Sequence, residues 1–317
     1  MASFLTLTKS RILVVAAAAV LTVSLSSCAD HVGAAATVAG VSIDESFVTQ
    51  TSAELAASAQ AAASAQQTTA SNTNGDQQSR NRLVLTNQIR HDLLGQIPSV
   101  GELNVPDASV NSAVAGGAVQ IASQLGVTQQ QVPQAVRDSL KVLALAQRDA
   151  TSKRKVSVVD VAIDLLSTFS SRADAVAARS RYLADPSAMN REVSSAGTAA
   201  NGRANGGVDQ PVSLLSSPQL ASLGLYSEPV GSIVVINQGA QWSVVRIAKR
   251  TVSQSEGLPA AIQVAEGNAQ TNGTAPVFDL AWLALGPYVS SQHVSVNPRF
   301  GTWDPVTLQV VPTNSGL

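Results

Sequence analysis

The chain contains little of what many enzyme and binding classes need. Its 317 residues include one cysteine and three histidines, aromatic residues make up 3%, and charged residues make up 13%. The 20 Lys and Arg residues nearly balance the 21 Asp and Glu residues, so no strong positive field attracts nucleic acid and we expect no nucleic-acid partner. With so few aromatic side chains, the core has to be built mainly from Val, Leu, Ile and Ala.

The few potential metal ligands are also scattered. His31, His91 and His293 lie far apart, and none has a second histidine or an acid at the spacing of a known metal motif. Gly206 and Gly207 fit a turn better than a phosphate-binding loop, because their spacing matches no phosphate motif. The sequence therefore predicts no metal site and no cofactor.

The N-terminus has the pattern of an export signal. Lys9 and Arg11 precede an uncharged apolar run, and Leu25-Ser26-Ser27-Cys28 follows in the manner of a bacterial lipobox. The 14-residue run from Ile12 to Leu25 would rise about 21 Å as a helix, short of a ~30 Å hydrocarbon core. Residues 1–27 are thus predicted to be a lipoprotein signal peptide; the alternative is a short uncleaved anchor.

Cys28, the single cysteine, is the predicted lipidation site. Several acyl chains such as palmitate, at ~0.8 kcal/mol per buried CH₂, hold a protein durably on a bilayer. We therefore expect a protein attached to the cell membrane by lipid on Cys28 and facing the extracytoplasmic side. With Cys28 used in this way, no disulfide and no thiolate nucleophile remain in the mature chain.

The rest of the chain predicts an α+β fold with a helical part and a small mixed part. Residues 28–37 form a tether, and residues 38–155 are mostly helical, with Leu85, Ile89 and Leu93 at helical spacing. The low-complexity tract from Ala56 to Asn74 fits either helix or flexible loop. Residues 156–250 give a β-branched strand, two helices and a terminal hairpin. Residues 251–275 form a polar linker, and residues 276–306 give an apolar helix and a strand.

The order of elements in residues 156–250 resembles the parvulin-type peptidyl-prolyl isomerase domain. The resemblance is carried by the strand from Val158 to Ile163, by Gly206-Gly207, and by the Gly-x-x-Trp-Ser-Val-Val-Arg-Ile ending at residues 239–247. Parvulins usually carry a histidine in the first strand and another in the last. Here the matching positions are Asp160 and Ser243, so the resemblance implies either an inactive domain or an isomerase with an altered active site.

The whole chain is similar to the SurA/PrsA family of extracytoplasmic chaperones, in particular to SurA-like lipoproteins of actinobacteria. The similarity rests on the opening at residues 38–43, the helix from Leu83 to Leu94, and the ending from Val294 to Asp304. It implies that residues 276–306 fold back to complete a helical chaperone domain formed with residues 38–155. The parvulin-like domain would then be an insertion with its own core, and the apolar helix would bury Trp282 against Leu83, Ile89 and Leu93.

Several side chains are candidates for contact with client polypeptides. Trp242, Trp282, Phe278 and Phe300 could form an aromatic patch, although core packing is the commoner fate of such residues. Arg299 is expected either to pair with an acid of the helical domain or to be solvated.

The leading prediction is a lipid-anchored chaperone that binds unfolded or newly exported polypeptides, with a parvulin-like domain that does not catalyse. An active prolyl isomerase that uses Asp160 and Ser243 is the first alternative. A solute-binding or cell-envelope structural lipoprotein is the second.

Overall fold

The protein has an α+β fold, as predicted. A computed structural model describes residues 33–65, 77–115, 117–196, 206–221, 223–237, 241–268, 275–289 and 292–313. The predicted signal peptide, Cys28 and His31 lie outside these residues, as does the second half of the Ala56 to Asn74 tract. None of the helices in the described ranges is long and apolar enough to span a bilayer.

The N-terminal part is a β-hairpin followed by helices. The hairpin turns at Ala39 and Gly40, whose φ angles of 49° and 87° suit a two-residue turn. Gly117, with φ 139°, separates two short helices. The elements are β1 (Ala34–Val38), β2 (Val41–Asp44), α1 (Glu45–Ala65), α2 (Gln77–Gly95), α3 (Pro98–Gly101), α4 (Asp107–Val114), α5 (Ala118–Leu125) and α6 (Val132–Thr151).

The middle of the chain builds a four-stranded antiparallel sheet of order β4-β3-β6-β5. Ser171 caps the first of its two helices by accepting a hydrogen bond from the Asp174 N–H, and Pro186 opens the second, as expected. The elements are β3 (Val156–Phe169), α7 (Arg172–Ala184), α8 (Pro186–Ser195), β4 (Gly206–Ser213), a 3₁₀ turn (Pro218–Leu220), β5 (Ile233–Asn237) and β6 (Trp242–Ser255).

The C-terminal part returns to the N-terminal part. Strand β7 pairs antiparallel with β1, β9 packs against α2, and α10 packs against α6. Arg299 forms an ion pair with Glu45, so the expected partner in the helical region is confirmed. The elements are α9 (Leu258–Gly267), α10 (Ala275–Trp282), a 3₁₀ turn (Leu283–Leu285), α11 (Gly286–Val289), β7 (Val294–Val296), β8 (Thr302–Asp304) and β9 (Gln309–Val311).

Arg90 on α2 joins these distant segments. Its Nε donates a hydrogen bond to the Leu308 carbonyl at 2.9 Å, its Nη1 lies 3.8 Å from Asp279 on α10, and its guanidinium stacks 5.3 Å from the Trp282 ring centroid. Burial lowers the pKa of Arg90 to about 10, and the nearby Asp279 carboxylate opposes this shift. Trp282 is buried, as expected for a helix that completes the N-terminal part.

One hydrophobic cluster extends from the hairpin to the C-terminus and includes one face of the sheet. Val161, Ile163 and Ile247 belong to the same cluster as Ile89 and Trp282. The expectation that residues 156–250 form an insertion with its own core is therefore wrong for this face. The opposite face has a separate cluster, which the helices α7 and α8 cover.

Several predicted boundaries also need correction. Residues 34–37 are not a tether but a buried central strand, because β1 lies between β2 and β7. Residues 251–255 continue β6, and α9 buries Leu258 and Ile262, so the polar linker is largely ordered structure. The C-terminal part extends beyond residue 306 to β9, and Gly206-Gly207 begins an edge strand.

Candidate functional site

The described helices leave a groove between α2 and α6. Ile89 and Leu93 of α2 face the core, and this places His91 and Asp92 on the more exposed side of the helix. On α6, Val136 and Val142 are buried while Gln134 and Lys141 reach the groove. The periodicity of both helices therefore brings polar side chains to the rim above an apolar floor.

Two adjacent cavities make up this groove. The larger has a volume of about 410 Å³ and the smaller about 100 Å³. Val41, Leu94, Ile97 and Val100 contribute apolar surface to the larger cavity. The smaller cavity has Phe47, Val84, Val127 and Ala135 as apolar walls. We call the two cavities together the His91 groove, because His91, Gln134 and Asp138 line both.

The three shared residues form a hydrogen-bonded chain. His91 Nδ1 lies 2.6 Å from Asp138 Oδ2, and Gln134 Nε2 donates to Asp138 Oδ1 at 2.8 Å. The hydrogen bond to Asp138 is the main reason that the pKa of His91 is raised, and burial acts in the opposite direction. Since an ionised Asp138 can only accept, His91 Nδ1 carries the proton in this arrangement.

Asp92 is the other carboxylate of the groove. It is half-buried, and burial raises its pKa, although a hydrogen bond from Gln88 at 2.9 Å and the charge of His91 act against this. The groove thus offers hydrogen-bond acceptors and donors beside aliphatic side chains. That combination suits an extended polypeptide, whose backbone and apolar side chains need both kinds of contact.

The two residues that the parvulin resemblance singled out are not brought together. Ser243 on β6 is fully buried, and its Oγ lies 2.7 Å from Ser167 Oγ on β3. Asp160 is exposed and pairs with Thr251, eight residues further along β6, roughly 26 Å at 3.3 Å per residue. The side-chain hydrogen-bond partner of Ser243 is therefore Ser167, and the expectation that Asp160 shares its site is wrong.

The candidate aromatic patch is not one surface. Trp282 and Phe300 are buried in the large cluster, with exposed fractions of 2% and 4%, which is the core-packing alternative. Phe278 is half-buried on α10. Trp242 is half-buried too, but it packs against the small cluster on the other face of the sheet.

Chemistry that requires metal ligands finds no support in the described part of the chain. No group of three or more His, Cys, Asp or Glu side chains there could hold a metal ion. Cys28, the predicted lipidation site, is outside the described residues.

Sequence reasoning missed the role of His91 in the groove. His91 and Asp138 are 47 residues apart, and neither stands in a recognisable motif. The usable signal was that α2 and α6 each carry a polar residue beside an apolar stripe. Their contact depends on how the helices pack, and periodicity alone does not determine this.

Comparisons with known proteins give distant structural likeness and no match in sequence. No protein-family model matches the chain, and no curated protein matches it in sequence. Among solved structures, the chain is similar to foldase protein PrsA from Streptococcus pneumoniae str. Canada MDR_19A. The likeness covers 67% of this chain and 87% of that chain, at 17% identity and a TM-score of 0.27.

Proposed function

We propose that this protein is an extracytoplasmic chaperone that binds unfolded, exported polypeptides in the His91 groove. The observation that carries the proposal is the pair of adjoining cavities, in which aliphatic side chains lie beneath a polar rim. A groove of this kind binds an extended segment through its backbone and one or two apolar side chains, with little demand on sequence.

The four-stranded sheet acts in this proposal as a scaffold and not as a prolyl isomerase. The buried Ser167–Ser243 pair supports this, because each hydroxyl is already hydrogen-bonded and Ser243 is closed to solvent. A substrate proline could reach neither group without opening the core. The isomerase alternative predicts measurable catalysis on a proline tetrapeptide that Ser243→Ala abolishes, whereas we expect no catalysis above the uncatalysed rate.

Lipid anchoring at Cys28 is the second part of the proposal. It is supported by the charged start, the short apolar run and the single cysteine of the sequence. Detergent phase partitioning tests it, since Cys28→Ser should move the protein to the aqueous phase or leave it unprocessed. A variant that still partitions like an acylated protein would refute the anchor without touching the groove.

The groove itself is tested by a pair of matched substitutions. Val41 is 56% exposed and lines the larger cavity, so Val41→Asp adds a charge to the groove with little effect on the core. Val264 is 65% exposed on α9 and lies outside the groove, so Val264→Asp is the control.

The assay measures how well the full chain suppresses aggregation of a chemically unfolded client. We expect Val41→Asp to lose most of the suppression and Val264→Asp to keep it. Equal suppression by both variants would mean that clients bind elsewhere. If neither the wild-type protein nor the variants suppressed aggregation, the result would favour the solute-binding or structural alternative.

A further inference from the structure

A third cavity shares no lining residue with the His91 groove and lies where Arg250 of β6 and the loop with Ser227 and Glu228 meet the β8–β9 hairpin. Its volume is about 320 Å³. The residues that matter for its chemistry are Ser227, Glu228, Arg250, Thr302, Trp303 and Asp304. Nothing in the proposed chaperone function uses this cavity, so a ligand bound there would serve a role beyond that function.

Arg250 is the charged group of the cavity that, among the described residues, keeps hydrogen-bond donors free for a ligand. Its Nε donates to the Tyr226 carbonyl at 2.7 Å. Tyr226 is itself held in place, because its hydroxyl lies within hydrogen-bond distance of the Ser213 and Ser217 carbonyls and can donate its one proton to either. In the described part of the chain, neither Nη1 nor Nη2 of Arg250 has a hydrogen-bond or ion-pair partner. Arg246, four residues earlier on the same strand, is by contrast paired with Asp164.

The two acids of the cavity are already engaged elsewhere. Asp304 accepts hydrogen bonds from the Ser227 and Thr307 hydroxyls and from the Val306 N–H, which together hold the turn after β8. Glu228 receives a hydrogen bond from Ser232 and the favourable charge of Arg179. Arg250 therefore remains the available charged partner for a ligand.

The walls of the cavity are partly apolar. Trp303 is half-buried, and Pro305, Val311 and Pro312 present aliphatic surface beside it. Gly224 packs so closely that a Cβ there would lie 2.9 Å from Pro312 Cδ, which fixes the loop against the hairpin.

We propose that this cavity binds a carboxylate that is attached to an apolar group, with the carboxylate oxygens on Nη1 and Nη2 of Arg250 and the apolar group against Trp303. The guanidinium fork matches a carboxylate with two parallel hydrogen bonds, and its anchored Nε leaves little side-chain freedom to lose on binding. Two sources carry this chemistry: the C-terminus of a polypeptide that ends in an aliphatic residue, and a free aliphatic carboxylic acid.

The binding experiment uses the full chain in detergent micelles and isothermal titration calorimetry. The probes are N-acetyl-Ala-Val-Leu with a free C-terminus, the same peptide with a C-terminal amide, and N-acetyl-leucine. We expect saturable binding of the free-acid peptide and at least roughly tenfold weaker binding of the amide, because the charged hydrogen bonds are lost. Similar affinities for the peptide and N-acetyl-leucine would identify a small-carboxylate site, and a clear preference for the peptide would identify a C-terminus site.

The variants locate the binding. Arg250→Gln should weaken binding of the free-acid peptide by about tenfold or more. Arg250→Lys should weaken this binding less, because lysine keeps the positive charge but loses the two parallel donors of the guanidinium. Arg172→Gln is the matched control, because Arg172 is an exposed arginine that does not line the cavity.

Three results would overturn the proposal: equal binding of acid and amide, unchanged binding by both Arg250 variants, or no binding of any probe. Val41→Asp should leave this binding unchanged, so the site can stand if the groove proposal fails, and it can fail while the groove proposal stands.

Discussion

The two faces of the four-stranded sheet are stabilised in different ways. One face joins a cluster whose members span residues 35–310, so segments from both ends of the chain complete it. The other face has a small cluster formed only by residues 166–244, under α7 and α8. The first face is covered by segments that are distant from the sheet in sequence, whereas the second is covered almost entirely by elements that are its neighbours in sequence.

This difference explains why the chain does not divide into an independent insertion and a helical domain. A face that is shared with the N- and C-terminal parts cannot be removed with its core intact. The local face still holds together the strand, the two helices and the hairpin that were predicted for residues 156–250. The order of elements and independence in folding are therefore separate properties in this protein.

Truncation tests the comparison with the largest expected effect. A chain that ends at Val289 lacks β7, β8 and β9, so β1 loses a partner strand and Arg90 loses the Leu308 carbonyl. We expect loss of cooperative folding in both the helical part and the sheet, since one cluster joins them. Urea unfolding followed by circular dichroism measures this, with a chain that ends at Thr313 as the control.

If the sheet kept its own cooperative transition after this truncation, the shared face would contribute little to its stability, and residues 156–250 would be an independent insertion after all.

Two tryptophans sharpen the comparison within the intact chain. Trp282 is buried in the large cluster, so Trp282→Ala should lower the free energy of unfolding by about 3–5 kcal/mol. Trp242 is half-buried beside the small cluster, and Trp242→Ala should cost clearly less. The urea midpoints and slopes of the two variants provide the test. Equal costs would show that the small cluster matters as much as the large one.

Two ion pairs within the fold provide a smaller contrast. Asp164 accepts hydrogen bonds from Arg246 Nε at 2.8 Å and from the Asp209 N–H at 3.0 Å, so it pins β4 and β6 to β3. Asp164→Asn leaves the arginine uncompensated and should cost about 3 kcal/mol. Asp279 lies 3.8 Å from Arg90, and its side chain is 31% exposed, so Asp279→Asn should cost less.

Thermal unfolding at neutral pH compares these two variants. A larger loss of stability for Asp279→Asn would mean that the Asp279–Arg90 pair contributes more to stability than the Asp164–Arg246 pair of the sheet.

Elements with local signals could be predicted from the sequence. The hairpin of β5 and β6 was predicted from β-branched strands that flank a polar turn, and it was confirmed. The helix start at Pro186 was predicted because proline suits the first turn of a helix, and it was confirmed too. The return of the C-terminal segment was confirmed as well, with β7 on β1.

Features that depend on distant partners could not be predicted. Strand β3 was expected to end near Ile163, but it continues to Phe169 and includes the polar residues Asp164 and Ser167. Both are buried only because Arg246 and Ser243 lie opposite them on β6. The His91 groove could not be predicted either, because its central hydrogen bond joins two helices whose residues, His91 and Asp138, are 47 positions apart in sequence.

The smallest expected effect concerns the His91–Asp138 hydrogen bond, which lies outside both faces of the sheet. The pKa of His91 is raised in the folded protein, mainly through this hydrogen bond. The folded protein therefore binds the proton on His91 more tightly than the unfolded chain does, and protonation stabilises the fold. The contribution of protonated His91 to stability is complete below its pKa in the unfolded chain, about 6.5. It is lost as the pH rises through the higher pKa of His91 in the folded protein. The acids Asp92 and Asp138 favour the proton, while Lys141 opposes it.

His91→Gln should therefore lower stability at about pH 5.5 and change it little at about pH 8.5. The effect should be modest, since the imidazole is 48% exposed and solvent screens the pair. His293→Gln is the control, because His293 is exposed and lies outside the groove. An NMR titration of the His91 ring and urea midpoints at both pH values measure the two sides of the argument. An equal loss at both pH values would show that the side chain acts by packing alone, and that α2 and α6 do not depend on its charge to hold the groove.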